Sequence, residues 1–299
     1  MIKLTVGVCV RNCERTVGQA IESIVQQDFP HDLVEIIFVD DDSRDNTLGV
    51  IEDLASKIDI RSRIFSDSWK GLGAVRNTVV NHARGDYVVW VDGDMILEKS
   101  YFTKQVRFME NNPKVGIAKG TYEPSPGPNL VSTLEIYSRS ADKMTDFNRR
   151  MAGALGTGGC IYRLEAIRQV GGFDDSLKGY GEDWDAESRV KAIGFSLQVT
   201  QAKWRDYERL GLSLKELWSR YVTRGSDLYY FSKKHERLLR LYRMLPPAGF
   251  FAGLKFALRL RKIMNNKVIF LLPFENAFKS TAWSWGYLKT RLANSMPRR

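Results

Sequence analysis

Apolar residues along the first hundred positions follow two alternating rhythms. Leu4 to Val10 and Val34 to Val39 are continuous runs rich in β-branched residues, as expected of strands buried on both faces. Tyr87 to Val91 reads the same way, and a shorter strand is expected near Ile64. Between them the period changes to that of a helix. Val17, Ala20, Ile21, Ile24 and Val25 line one face of a segment that ends before Phe29-Pro30. Leu48, Ile51, Leu54 and Ala55 line a second, with Ser43 or Asp45 available as its N-cap. Val75, Val79, Val80 and Ala83 line a third, which should close at Gly85. Strands separated by helices of this length predict a parallel sheet with right-handed crossovers. Ligands bind such sheets beyond the carboxyl ends of the strands. Asp40-Asp41-Asp42 and Asp92-Gly93-Asp94 each follow a strand, so two acidic clusters should meet on one rim.

Beyond residue 120 the rhythm loosens. A proline-punctuated loop (Pro124, Pro126, Pro128) leads into a mixed segment that reaches about residue 200. A helix opening with the capping-box pattern Ser213-x-x-Glu216 then begins a stretch of different character. Of the 299 residues, 43% are hydrophobic and 27% charged, which fits a packed globular chain and excludes a disordered one. The length accommodates one large α/β domain with an appendage, or two modest domains. The formal net charge of +10 conceals a division: residues 1–200 hold 24 Lys and Arg against 29 Asp and Glu, and residues 201–299 hold 21 against 6. The basic end suits nucleic acid, an anionic membrane surface or a phosphorylated substrate, or is a solvated tail. Cys9, Cys13 and Cys160 form no CxxC pair, and Met1-Ile2-Lys3-Leu4 runs straight into a strand, so a reducing, cytoplasmic setting is expected.

Candidate chemistry lies on the acidic clusters. Asp92-Gly93-Asp94 sets two carboxylates one residue apart, with a glycine that permits close backbone approach. This suits a hard divalent cation, Mn2+ or Mg2+, with positions left open for substrate phosphates. A strand-end turn would use the same residues. Gly181-Glu182-Asp183 precedes Ala186, Val190 and Ile193 at helical spacing, so its carboxylates should stand at a helix N-terminus, held by free N–H groups yet open to substrate. Ordinary charge stabilisation of a helix would look alike. Order along the chain separates these possibilities. Val8-Cys9-Val10-Arg11-Asn12, Phe38-Val39-Asp40-Asp41-Asp42-Ser43, Gly71-x-Gly73-x-x-Arg76-Asn77 and Val89-Trp90-Val91-Asp92-Gly93-Asp94 follow one another. They are succeeded by Gly158-Gly159, Val170-Gly171-Gly172-Phe173-Asp174 and Gly181-Glu182-Asp183-Trp184.

This ordered set resembles the family 2 glycosyltransferases of the GT-A fold over roughly residues 2–225. The resemblance implies an α/β, Rossmann-like, mostly parallel sheet flanked by helices. Its catalytic domain would span residues 1–225, with a donor-binding half to about residue 120, an acceptor half over 121–225, and a basic helical extension over 226–299. It implies an inverting transfer from a nucleotide-diphosphate sugar. Cys9, Val10, Arg11 and Asp41 would hold the base and ribose of a UDP- or GDP-sugar. Gly71 and Arg76 would approach the diphosphate at a helix start, unless Arg76 is a surface residue. Asp94 would bind the cation, with Gly93 beside it, and Asp92 would sit near the ribose or share the metal. Asp183 would take the acceptor's proton, with Glu182 as a second carboxylate. Gly158, Gly159 and Trp184 would face the transferred sugar and the acceptor. Arg220 and Arg224 would close over the diphosphate, or lie on a solvated helix face. The segment from Lys203 to Glu208 lacks the histidine that many relatives add to the metal, leaving Asp206 or Glu208 as its substitute. The Gln-x-x-Arg-Trp signature of processive members is absent, which argues against long-chain polymerisation.

In the basic extension, Lys255, Arg259 and Lys262 share a face beside Phe250, Phe251, Leu254, Ala257 and Leu258, and Phe278, Ala282, Trp285, Leu288 and Leu292 recur at helical spacing. These helices suit an anionic membrane surface, or pack on the domain or on a second copy as a homo-oligomer. A peripheral position on the inner membrane face and a lipid-linked or cell-surface glycan precursor as acceptor follow from the first option. Two other enzyme classes fit less well. A nucleotidyltransferase would want a glycine-rich basic turn where Arg11-Asn12-Cys13-Glu14 stands, and the GxGxxG of a dehydrogenase is missing. A catalytically silent membrane or nucleic-acid binder would leave the two acidic strand ends unexplained, so no nucleic acid is expected.

Overall fold

A computed structural model describes residues 1–147, 155–178, 181–207, 211–234, 244–262 and 266–295. The chain divides into two compact units. The first comprises Met1–Glu123, Ala152–Lys178 and Glu182–Tyr207, and the second Pro124–Met151, Gly179–Gly181 and Glu208–Arg299. The units thus do not follow a linear division at residue 225. Residues 124–151 and the start of the helix after Ser213 belong with the C-terminal helices.

The first unit begins with β1 (Leu4–Val10), α1 (Val17–Val25), β2 (Val34–Asp41), α2 (Thr47–Ala55), β3 (Arg61–Asp67), α3 (Leu72–His82) and β4 (Tyr87–Trp90). It continues with β5 (Met95–Leu97), α4 (Tyr101–Asn111), β6 (Val115–Tyr122), β7 (Cys160–Arg163), α6 (Leu164–Gln169), α7 (Glu182–Ala192) and β8 (Ser196–Asp206), with α5 (Leu130–Phe147) lying between β6 and β7 in the chain. The eight strands form one sheet in the order β3-β2-β1-β4-β7-β6-β8-β5. From β3 to β4 the pairing is parallel throughout. β7 runs antiparallel to β4 and β6, β8 is parallel to β6, and β5 closes the edge antiparallel to β8. The order reverses between β1 and β4, where such sheets open a crevice at their carboxyl ends.

Every residue of β2 and β4 is buried, which is why both read as unbroken apolar runs. The core beside them joins Ile37 and Val39 of β2, Val75 and Val79 of α3, Trp90 of β4, Tyr162 of β7, Phe173, and Ala186 and Val190 of α7. Fully burying such side chains contributes about 1.5–3 kcal/mol each. Helix α3 stops at His82, before Gly85, whose N–H is taken by the Thr5 hydroxyl instead.

The second unit holds α5, α8 (Leu214–Lys234), α9 (Pro246–Leu260), a short 3-10 turn (Lys267–Leu271) and α10 (Leu272–Ser295). The capping box at the start of α8 is formed. The Ser213 N–H donates to Glu216 at 2.7 Å, and the Glu216 N–H donates to the Ser213 hydroxyl at 3.2 Å.

Candidate functional site

The carboxyl ends of β1 and β2 are tied to each other by their turns. Asn12 and Asp42 are the non-glycine residues with positive φ among those described, at 53° and 63°. Such conformations persist only when the surroundings enforce them. Here the Asn12 N–H donates to the Ser43 hydroxyl at 2.9 Å, and the Arg44 N–H returns to the Asn12 side-chain oxygen at 2.8 Å.

The three consecutive aspartates divide their tasks. Asp40 accepts from the Ser43 N–H and hydroxyl and closes the turn. Asp41, buried, accepts the N–H groups of Lys70 and Gly71, at 2.8 and 3.3 Å. Asp42 lies 3.9 Å from the guanidinium of Arg11. Of the two expected caps for α2, Asp45 accepts the Thr47 N–H at 3.1 Å, whereas Ser43 serves the strand-end turn. Gly71 has φ +89°, and a Cβ there would come 2.6 Å from the Lys178 carbonyl, so the loop entering α3 requires glycine. Arg11 and Lys178 both lie over the ring of exposed Trp69, at 5.6 and 5.3 Å. Burial pushes the Cys9 thiol up to about 12, and Arg76, Asp92 and Asp41 are the charges it feels. Cys9, near the end of β1, thus lies within electrostatic reach of all three.

Asp92-Gly93-Asp94 is both a turn and part of this rim. The Met95 N–H closes onto the Asp92 carbonyl at 3.0 Å, and the Tyr207 N–H onto the Asp94 carbonyl at 2.6 Å. Gly93 packs so closely on the end of β1 that a Cβ would sit 2.9 Å from Val10 and 3.0 Å from the Cys13 sulfur. The exposed Asp92 is repelled by Asp94 and Asp206 and attracted by Arg76 and Lys119. A Cβ on Gly158 would collide with the Asp92 carboxylate, so this glycine makes room for it. Gly159 has a different role. Its N–H donates to the Trp90 carbonyl at 3.0 Å, its own carbonyl accepts the Tyr101 hydroxyl at 2.7 Å, and Trp204 covers it. Asp206 accepts the Tyr122 hydroxyl at 3.0 Å, while Glu208 lies outside the described residues.

Arg76 is buried rather than at the surface. Its guanidinium bonds to Glu182 and lies over the Phe173 ring at 5.7 Å. Burial opposes its charge, but Glu182, Asp183 and Asp92 outweigh that and raise its pKa. Burial in turn pushes the Glu182 carboxyl up to about 7, with Arg76 pulling against and Asp183 adding to the push. The Glu182 Oε2 atom, the hydroxyls of Thr157 and Tyr162 and the Trp90 Nε1 are buried without a hydrogen-bond partner. Asp183, half-buried, accepts the N–H of Trp184 at 2.8 Å.

Two residues absent from the sequence analysis hold the loop facing Asp183. Glu187 accepts the N–H groups of Leu155 and Gly156, at 2.8 and 2.9 Å, while the Lys119 ammonium donates to the Leu155 and Gly156 carbonyls. A Cβ on Gly156 would lie 3.5 Å from the Asp183 carboxylate. Burial, then Asp183, pushes the Glu187 carboxyl up to about 8. The available signal was a carboxylate on the apolar face of α7 and a lysine within the apolar run of β6. Arg220 and Arg224 lie on α8, in the second unit, where Arg224 stands over the Tyr221 ring at 4.9 Å.

The acidic residues Asp92, Asp94, Glu182 and Asp183 thus share one electrostatic neighbourhood with Arg76 and Lys119. Among the described residues, no three His, Cys, Asp or Glu side chains form a ready-made metal cage. Asp92 and Asp94 nevertheless fit a divalent cation of the kind held by one or two carboxylates and completed by substrate oxygens.

The family model described as Glycosyl transferase family 2 matches residues 5–171. The poly(ribitol-phosphate) β-N-acetylglucosaminyltransferase TarS of Staphylococcus aureus is 30% identical over 157 residues, which is 48% of this chain and 27% of TarS. The putative glycosyltransferase EpsE of Bacillus subtilis is 35% identical over 111 residues, 37% of this chain and 39% of EpsE. The matched regions span well under half the length of either relative. Among solved structures, the mannosyltransferase PcManGT from Pyrobaculum calidifontis, in complex with GDP-Man and Mn2+, superposes with a TM-score of 0.59 at 15% identity, covering 99% of this chain and 76% of that one. At that identity the likeness is one of fold.

Proposed function

The chain belongs to glycosyl transferase family 2, and from that premise we propose that it transfers a sugar from a UDP- or GDP-sugar to an acceptor hydroxyl, with inversion. The observation that carries this reading is the convergence of Asp92, Asp94 and Asp183 around Arg76 and Lys119 at the carboxyl ends of β1 and β4. Asp41, with Cys9, Val10 and Arg11, holds the base and ribose; its buried carboxylate is already aligned by two backbone N–H groups. Asp94, with Asp92, holds Mn2+ or Mg2+, which when bound offsets the charge gathering on the departing diphosphate. Arg76 sustains the acidic rim from inside. Its ion pair fixes Glu182, and its charge draws on Asp92 and Asp183.

Asp183 is the base. As the acceptor oxygen bonds to the anomeric carbon, the bond from that carbon to the diphosphate oxygen breaks and its electron pair leaves with the diphosphate. The acceptor's proton passes to the Asp183 carboxylate. Trp184 and the Gly158 turn border the sugar and the acceptor. The acceptor class we favour is a lipid-linked or cell-surface glycan precursor, reached from the cytoplasmic side. A catalytically silent scaffold is disfavoured because both Asp94 and Asp183 are retained.

Turnover of a panel of radiolabelled UDP- and GDP-sugars, with Mn2+, Mg2+ or EDTA, tests the reading. Expected is metal-dependent release of one nucleotide diphosphate, accompanied by thermal stabilisation of the protein by that same diphosphate. No turnover and no stabilisation by any member of the panel contradicts it.

A further inference from the structure

The second unit keeps an apolar core, with Leu134, Tyr137, Phe256, Leu260, Ile269 and Leu272 among its buried residues, yet it also buries charge and exposes large apolar side chains. Inside, the Lys279 ammonium bridges Glu135 at 2.9 Å and Glu275 at 2.8 Å and donates to the Ser138 hydroxyl at 2.7 Å. The Tyr221 hydroxyl donates to Glu135 at 3.2 Å, and Lys279, Glu135, Glu275 and Tyr221 are all buried. Outside, Phe251 is 67% exposed, Phe274 65%, Leu258 52% and Phe270 50%.

The helices also approach one another closely. α9 meets α10 through its smallest residues: a Cβ on Gly249 would lie 2.7 Å from the Asn276 carbonyl, and one on Gly253 would lie 2.6 Å from Pro273. α8 and α10 cross at Gly225 and Gly286, where added Cβ atoms would come 2.9 Å from the Tyr287 nitrogen and 3.0 Å from Val222. Helices that keep an apolar core on one side and turn large apolar side chains outward beside cations on the other have the arrangement of elements lying at a lipid headgroup boundary.

The outward residues form one continuous surface. Phe251, Leu254 and Leu258 recur at i, i+3 and i+7 on the side of α9 opposite its buried Gly249, Gly253, Phe256 and Leu260. The Phe250 ring joins Phe251 to Phe274 of α10, with centroids 5.9 and 5.6 Å apart, and exposed Phe270 extends the patch from the 3-10 turn. Lys255, Arg259, Lys262 and Lys267 are exposed on the same elements. Among the described residues, no helix is long and apolar enough to cross a membrane. Charge decides between the occupants that such a face could take. Residues 201–299 hold 21 Lys and Arg against 6 Asp and Glu, so a second copy would bring like charge against like, whereas an anionic lipid surface offers the opposite charge.

We propose that this aromatic and basic face seats the protein on an anionic bilayer, with α9 and the start of α10 lying in the headgroup boundary. Phe251, Leu254, Leu258 and Phe274 enter the acyl edge, and the cations meet lipid phosphates. The attachment stands on the composition of the second unit. It rests on the proposed transfer reaction only for its purpose, which is to hold the active unit beside a lipid-linked acceptor.

Co-sedimentation of the full chain with vesicles tests the seat. Phosphatidylcholine–phosphatidylglycerol vesicles should bind the protein at least about ten-fold better than phosphatidylcholine alone, with binding weakened by salt. The Phe251→Ser/Leu258→Ser variant should lose binding about ten-fold or more at an unchanged melting temperature. Lys255→Glu/Lys262→Glu, a second route that leaves the apolar face intact, should weaken it about ten-fold on the anionic vesicles alone. Equal binding by wild type and both variants overturns the proposal. So does a concentration-dependent dimer in light scattering that these same substitutions dissociate, because the occupant is then a second copy. Stabilisation by UDP or GDP with Mn2+ is recorded on the same samples. Loss of that signal with vesicle binding intact counts against the transfer reaction and not against the seat.

Discussion

Each unit buries an ion pair, and the two pairs are used differently. In the first, Arg76 and Glu182 back a rim whose carboxylates repel one another and include the exposed Asp92. In the second, Lys279 is enclosed by Glu135, Glu275, Ser138 and Tyr221, and burial together with the Glu135 charge pushes the Glu275 carboxyl up to about 7 against the pull of Lys279. A buried pair behind carboxylates that reach solvent is arranged for something that arrives, such as a cation, a diphosphate or an acceptor. A network whose partners all come from the packed helices fixes their register instead. On the proposed function, chemistry falls to the first unit and architecture to the second.

The largest effect that would sharpen this contrast is on turnover. Asp183→Asn should lower the transfer rate by about 10²- to 10⁴-fold while stabilisation by the nucleotide diphosphate persists, measured by labelled-sugar transfer and thermal shift in parallel. An active Asp183→Asn enzyme removes the base from the scheme.

Next comes stability in the second unit. Lys279→Met leaves two buried carboxylates facing each other and should cost about 3–5 kcal/mol in denaturant unfolding, without changing donor affinity in the folded protein. The same network predicts a pH dependence. Burial pushes Glu135 up, but Lys279, Arg139 and Arg224 outweigh it and hold the carboxyl at about 2, below its ordinary 4.5. Its contribution is therefore complete above about 4.5 and is lost as pH falls toward 2. Glu135→Gln should flatten that part of the stability profile. If Glu135→Gln instead left the acid limb unchanged, the hold of Lys279, Arg139 and Arg224 on this carboxylate would be wrong.

A smaller effect is expected behind the base. Glu187→Gln places an amide NH2 against one of the two N–H groups that Glu187 receives, loosening the Leu155–Gly156 loop. A fall in kcat of about ten-fold with an unchanged donor KM is expected, consistent with misplacement of a catalytic group rather than lost binding. A change in donor KM alone would make the loop part of the donor pocket.

The parallel half of the sheet was legible because strands buried on both faces leave continuous apolar runs, as in Leu4–Val10. The other half was not. β7, β6, β8 and β5 find one another across long stretches of chain, and β8 alternates exposed and buried positions in its second half. The acidic rim was readable from the strand ends, but the burial of Arg76 was not, because Glu182 stands 106 residues away. Glu187 and Lys119 were hidden for the same reason, since a charged residue in an apolar pattern signals a partner without naming it. In the extension the spacing revealed apolar faces, yet only the structure distinguishes the glycine-lined contacts of α9 and α10 from the outward phenylalanines.

The claim on which the rest depends is that Asp94 and Asp92 hold a cation shared with the donor's diphosphate. Titration calorimetry of UDP and GDP into wild type and Asp94→Ala, each with Mn2+ and with EDTA, addresses it directly. The account predicts binding of one diphosphate to wild type that weakens at least about ten-fold in EDTA, and Asp94→Ala binding that is equally weak with or without the metal. Diphosphate binding to Asp94→Ala that still strengthens on adding Mn2+ would contradict it.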